Sequence, residues 1–213
     1  MAVAFAGPLS KWFAGARGDA TRLAGGVAAW RADLQSAVAT KVGEQLTWDE
    51  AAPVAAETDL GEAGWLAVRL LGLYADRPEL DWPDRVPPLL ELDPQWRAAA
   101  DAKFDRSRYG HLLACSVWLP GDFPVTFRVP LPDGSTAEIG STRLLADQLG
   151  WLNQRTFQAD GGEVAGWAGL PAAAGGEFVA AARRGYAGLR TAVDAAVRGG
   201  VPLVVGEARP AGA

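Results

Sequence analysis

The sequence predicts an α+β fold, mostly helical, with a small, mainly antiparallel sheet packed against the helices. Three observations carry that expectation. Apolar residues recur at helical spacing in long windows: Leu23, Val27, Trp30, Leu34 and Val38; then Leu60 to Ala75; then Phe178, Ala182, Tyr186, Leu189 and Val193. Runs of strand character lie at about 110–119, 123–131 and 136–140, with 201–205 as a candidate fourth strand. The second and third runs flank Pro132-Asp133-Gly134, a turn signal that makes them a hairpin.

A chain of 213 residues buries roughly 70% of the surface its unfolded form exposes, so it needs no covalent staple. The expectation is a single domain over 1–213, with a helical segment at 1–45, an α+β core at 46–208 and a disordered tail at 209–213. From Leu9 to about Thr40 the spacing predicts one helix or two, with Gly18-Asp19 as the break. Residues 46–60 read as a connection, because Pro53 opposes helix. Asp59 and Glu62 have the spacing of a capping box for a helix over 60–75. That helix has little polar face beyond Glu62 and Arg69, so it should be the most buried of the set.

Five prolines between 78 and 94 rule out regular helix or a central strand. They predict an ordered surface loop pinned by Trp82, Val86, Leu89 and Leu90. Asp93-Pro94 restarts helix with a cap and a first-turn proline, ending near Arg106. His111 to Leu119 reads as a strand buried on both faces, and Pro130 should lie at a sheet edge. Ser141 is the expected N-cap of a helix carrying Leu145, Leu149 and Leu152. Residues 158–176 read as a flexible connection, followed by a last helix over 177–198 that Gly199-Gly200 ends.

Several function classes are disfavoured by composition. The net charge of −5 is spread out and no Lys/Arg cluster tracks a phosphate backbone, so nucleic acid is not an expected partner. No window approaches eighteen apolar residues and the first sixteen lack a basic start, so neither a membrane span nor a secretory leader is expected. One cysteine forms no internal disulfide, which points to a reducing, cytoplasmic setting. The glycine-rich stretches match neither phosphate-loop spacing, and the paired carboxylates sit among turn residues, so no cofactor and no metal are assigned.

His111 and Cys115 invite a nucleophile-and-base reading. On a strand, however, residues four apart are about 13 Å from each other, and a lone thiol in an apolar run is usually inert. Ser116 lacks the G-x-S-x-G elbow, so no catalytic residue is assigned. Nine tryptophans and the rigid loop around Trp82 and Asp84 instead suggest a contact surface.

The central segment resembles a motif set of uncharacterised bacterial proteins. In these, His-Leu-Leu, a nearby Ser, an aromatic-Leu/Val-Pro-x-Asp-Phe element and a Gly-Ser-x-x-Leu-Leu helix start follow in order. Here the positions are His111, Leu112, Leu113, Ser116, Trp118, Leu119, Pro120, Asp122, Phe123, Gly140, Ser141, Leu144 and Leu145, and the likeness covers about a fifth of the chain. Some such proteins resemble immunity partners of bacterial toxins, which implies recognition of another protein. The leading expectation is therefore a non-catalytic protein-binding module, an immunity or adaptor component with Trp82 and Asp84 in its contact surface. The alternative is a small-molecule enzyme or binder with a pocket near His111, Ser116 and Asp122. A third class is a structural or assembly subunit.

Overall fold

The computed structural model describes residues 1–17, 20–43, 45–170 and 176–207. The expected break at Gly18-Asp19, part of the 158–176 connection and the 209–213 tail lie outside them. Six strands are described: β1 (Ala2–Ala6), β2 (Ala56–Asp59), β3 (Val117–Leu119), β4 (Phe127–Pro130), β5 (Thr136–Ser141) and β6 (Leu203–Glu207). The helices are α1 (Leu9–Arg17), α2 (Ala20–Val42), α3 (Glu62–Ala75), α4 (Pro94–Asp101), α5 (Gly110–Ala114), α6 (Thr142–Arg155), α7 (Gly161–Trp167) and α8 (Phe178–Gly199). The protein is α+β, and its sheet is mixed but mostly antiparallel.

The strand order is β2-β1-β6-β3-β5-β4, and β3–β5 is the parallel pair. Alternate residues go to opposite faces, as the pleat requires. Ala2, Ala4, Ala6, Trp118, Leu203 and Val205 pack with the apolar residues of α3, α5, α6 and α8. Phe5, Val117, Leu119, Ile139 and Val204 pack with those of α1 and α2, joined by Leu46 and Trp48. Cover on both sides explains why β1, β3 and β6 read as uninterrupted apolar runs. The two edge strands turn Glu57 and Asp59, or Arg128 and Pro130, outward, which discourages pairing with another chain. Pro130 lies at an edge, as the sequence predicts, and its carbonyl accepts from Trp30 Nε1 at 2.8 Å.

The most extensive contact of the helical layer, between α3 and α8, has glycine on both sides at its closest point. A Cβ built on Gly185 of α8 would stand 2.1 Å from Gly64 O of α3, so these backbones touch where neither residue has a side chain. Asp93 caps α4 by accepting from Trp96 N, and Ser141 caps α6 by accepting from Leu144 N. Both are the caps the sequence predicts.

Several expectations are corrected. The N-terminal segment opens with a strand, β1, that enters the sheet beside β6. The 46–60 connection contains β2. The proposed strand over 110–119 is helix over 110–114 followed by a three-residue strand, because long-range partners claim its groups: Gln148 Oε1 accepts from Leu112 N, and Leu113 O accepts from Arg69. The 123–131 strand begins at Phe127, after Pro124. Asp59 forms no capping box with Glu62. Its Oδ1 accepts from Gly61 N at 2.7 Å while Oδ2 pairs with Arg184, and Gly61 itself holds the cap position at φ 64°. α4 stops at Asp101 instead of reaching Arg106, and Lys103 and Phe104 turn left-handed at φ 53° and 55°. Leu89 is 59% exposed and pins nothing, whereas Leu90 is buried. Within 158–176, α7 carries its own capping box, Asp160 with Glu163.

Candidate functional site

His111 sits on α5 and Cys115 caps it, so the helical turn brings the two close together, contrary to their expected separation along a strand. A Cβ on Gly140 would lie 2.6 Å from His111 Nδ1 and 2.9 Å from Cys115 Sγ, so glycine at this point of β5 leaves room for both. They still form no catalytic pair. His111 Nδ1 accepts from Ser141 N at 2.9 Å, which fixes the neutral tautomer protonated at Nε2, and Nε2–H donates to Pro124 O at 3.3 Å. Burial holds the imidazole below its ordinary pKa, partly opposed by the Pro124 bond. The Cys115 thiol is pushed well above its usual value, chiefly by burial and further by Glu138, against a smaller pull from Arg69. A base whose lone pair is already occupied faces a thiol that resists ionisation. The ring therefore ties α5 to the start of α6 and to the loop before β4.

The remaining predicted residues are dispersed. Ser116 and Asp122 flank opposite ends of β3, and Asp122 is exposed while His111 is buried. Trp82 is half-buried, its ring packed edge-on against Phe157 and Phe178 at 6.3 and 6.2 Å. Asp84 is exposed, and its carbonyl accepts from Phe178 N. Trp82 thus fastens the loop to α8.

Ser116 lines a different feature, a cleft of about 940 Å³ on the α3–α5 face of the sheet. Trp65 and Arg69 of α3 form one wall, and Lys103 and Phe104 at the exit of α4 form the next. Ala114 to Ser116 and the β4–β5 hairpin, with Arg128 and Glu138, complete it. Arg69 is its unusual member. Its guanidinium carbon lies 5.1 Å from the Trp65 ring centre and 4.7 Å from that of Trp96, and its Nη2 donates to Leu113 O. Its Nε is buried without a hydrogen-bond partner. Burial draws the Arg69 pKa down to about 10, with weaker opposing effects from Cys115 and Glu91, so the group stays cationic at neutral pH.

No carboxylate stands within ion-pair distance of Arg69, Lys103 or Arg128 among the described residues. Glu138 faces Arg128 across the strand pair without bonding to it. Two other clefts hold ion pairs at or beside their linings. Beside a cleft of about 450 Å³, Asp76 pairs with Arg108 at 2.9 Å; in one of about 560 Å³, Arg190 pairs with Asp194 at 3.0 Å. The left-handed turn at Lys103 and Phe104 is a costly conformation for non-glycine residues, and it aims both at the Arg69 cleft.

Among the described residues, no group of three or more His, Cys, Asp or Glu is arranged to hold a metal, and no helix is long and apolar enough to cross a membrane. Comparison with protein-family models, curated proteins and solved structures finds no match to the chain.

Proposed function

We propose that this is a non-catalytic binding protein whose recognition site is the Arg69 cleft, and that what it captures carries an anionic group. One observation supports the reading above the rest: a guanidinium packed on two indoles, with a buried donor left over and no carboxylate against it. A buried charge without a partner is costly, and an incoming anion would relieve that cost. The hydroxyls of Ser116, Thr126 and Thr136 add polar contacts, while Trp65 and Phe104 give apolar cover. The test is titration with small anions and their neutral analogues, followed by tryptophan emission. Only the anions should bind, more weakly as salt rises; equal binding of the neutral analogues would overturn the reading.

A second reading, recognition of another protein, has its own support. The 78–93 loop is held from below by Trp82, Leu90 and the Tyr74–Asp93 hydrogen bond, yet it presents Leu89 and Leu92, each 59% exposed. Glu79, Asp81, Asp84 and Glu91 outnumber Arg85 around them, which suits a partner with an apolar spot inside a basic rim. The immunity or adaptor role suggested by the 109–153 resemblance belongs to this reading. Leu89→Asp with Leu92→Asp should abolish such a complex with the folded monomer intact; an unchanged complex would count against it.

A further inference from the structure

We propose that the anion taken by the Arg69 cleft is the carboxylate of a small carboxylic acid with an aromatic or similarly bulky apolar body. This rests on the preceding reading and narrows it. The charges and dipoles around the cleft select against a phosphate. Phosphate sites gather backbone N–H groups at helix N-termini or in glycine-rich loops. Here the elements that end at the cleft are the C-termini of α4, near Ala100, and of α5, near Ala114; these are the negative ends of the helix dipoles, and the last carbonyls of α4 are bonded to Ala102, Lys103 and Phe104 N. On α5, Leu113 O is already taken by Arg69. Glu138 adds a negative charge to the floor, so a dianion would meet repulsion from two directions.

A monoanion whose charge ends in a plane suits Arg69 better. Trp65 and Trp96 both lie against the guanidinium, and Nε, closed off from solvent, keeps an unused hydrogen that a ligand reaching this edge would take up. A carboxylate matches that edge in shape and in hydrogen-bond direction. Beyond the charged end, the Trp65 and Phe104 rings line the space into which the ligand body would extend. The cleft is far larger than a carboxylate alone, so it leaves room for the body of the ligand beside these rings.

The experiment titrates the full-length protein with phenylacetate, phenyl phosphate, inorganic phosphate and benzyl alcohol, by calorimetry and by tryptophan emission. Phenylacetate is expected to bind, phenyl phosphate about tenfold or more weakly, and benzyl alcohol weakest of all. Arg69→Lys should weaken phenylacetate binding by about tenfold or more, since an ammonium lacks the planar fork. Should Arg69→Lys fail to fold, Arg128→Gln, on the exposed edge strand, gives an independent reading: about twofold to threefold weaker binding that added salt abolishes. If phenyl phosphate binds more tightly than phenylacetate and Arg69→Lys weakens it, the carboxylate assignment is overturned while the anion-binding reading survives. If no anion binds in a manner sensitive to Arg69 or Arg128, both are overturned.

Discussion

Replacing Gly185 by Ala tests the packing on which the helical layer depends. The new Cβ would fall 2.1 Å from Gly64 O, 2.5 Å from Gly64 C and 3.0 Å from Gly64 Cα. All three are backbone atoms of α3, so no side chain can swing aside. Relief requires α3 and α8 to part by about 1 Å along their contact, opening gaps among neighbours that pack at near-crystalline density. Overpacking of this kind costs about 3 kcal/mol, and the better helix propensity of alanine returns about 1 kcal/mol. The net loss is about 2 kcal/mol, or about 4–8 °C in Tm for a chain of this size. Urea unfolding followed by far-ultraviolet circular dichroism measures it, with an unchanged denaturant slope showing that both states keep their compactness. The control is Gly25→Ala in α2, where a Cβ meets nothing within 4 Å; it should stabilise by about 0.5–1 kcal/mol. A Gly185→Ala protein as stable as its parent would refute the account of this crossing.

Other consequences concern single groups. His111, the sole histidine, should titrate by proton NMR with a midpoint below 6.5, because burial disfavours its charged form. The unfolded chain then takes up the proton first, so stability should decline as pH falls below 6.5, and a flat profile there would contradict the neutral tautomer. All three tyrosines are raised by burial, Tyr74 to about 12 with help from its hydrogen bond to Asp93. Phenolate absorbance should therefore stay absent through pH 10 in the folded protein, and stability should fall as pH rises from 10 toward 12, since the unfolded chain ionises first. Ser141→Ala removes the cap on Leu144 N and the donor to Gly121 O at 2.6 Å from a fully buried site, and should cost about 2 kcal/mol in thermal unfolding.

What the sequence makes legible follows the range of the forces involved. α3, α6 and α8 declare themselves because each buries a stripe set by local periodicity, and the caps at Asp93 and Ser141 act within three residues. The β4–β5 hairpin is likewise local. β1 is different: Ala-Val-Ala-Phe-Ala is too short for periodicity to separate strand from helix, and the decision is made by β6, at the far end of the chain. α5 is lost for the same reason, its apolar run matching a buried strand until Gln148 and Arg69 claim its backbone groups. The packing of half-buried Trp82 against Phe157 and Phe178 is equally non-local and leaves no mark in the sequence.

At the candidate site, Ser116 is visible in the sequence, whereas Arg69 reads only as a polar residue on an otherwise apolar helix. Its significance comes from Trp96 and Leu113, the latter 44 residues away, and from the absence of an ion-pair partner among the described residues. The sequence signal that points to it is an arginine at mid-helix in a segment with almost no other polar side chain.

The Arg69 Nε–H itself gives the most direct test of the central claim, that this guanidinium holds a donor in reserve for a ligand carboxylate. In a proton–nitrogen correlation spectrum of the enriched protein, that signal is assigned by its disappearance in Arg69→Lys. On addition of phenylacetate it should move downfield with the same saturation curve as the tryptophan emission, and benzyl alcohol should leave it in place. A signal that stays fixed while phenylacetate saturates the protein would contradict the claim.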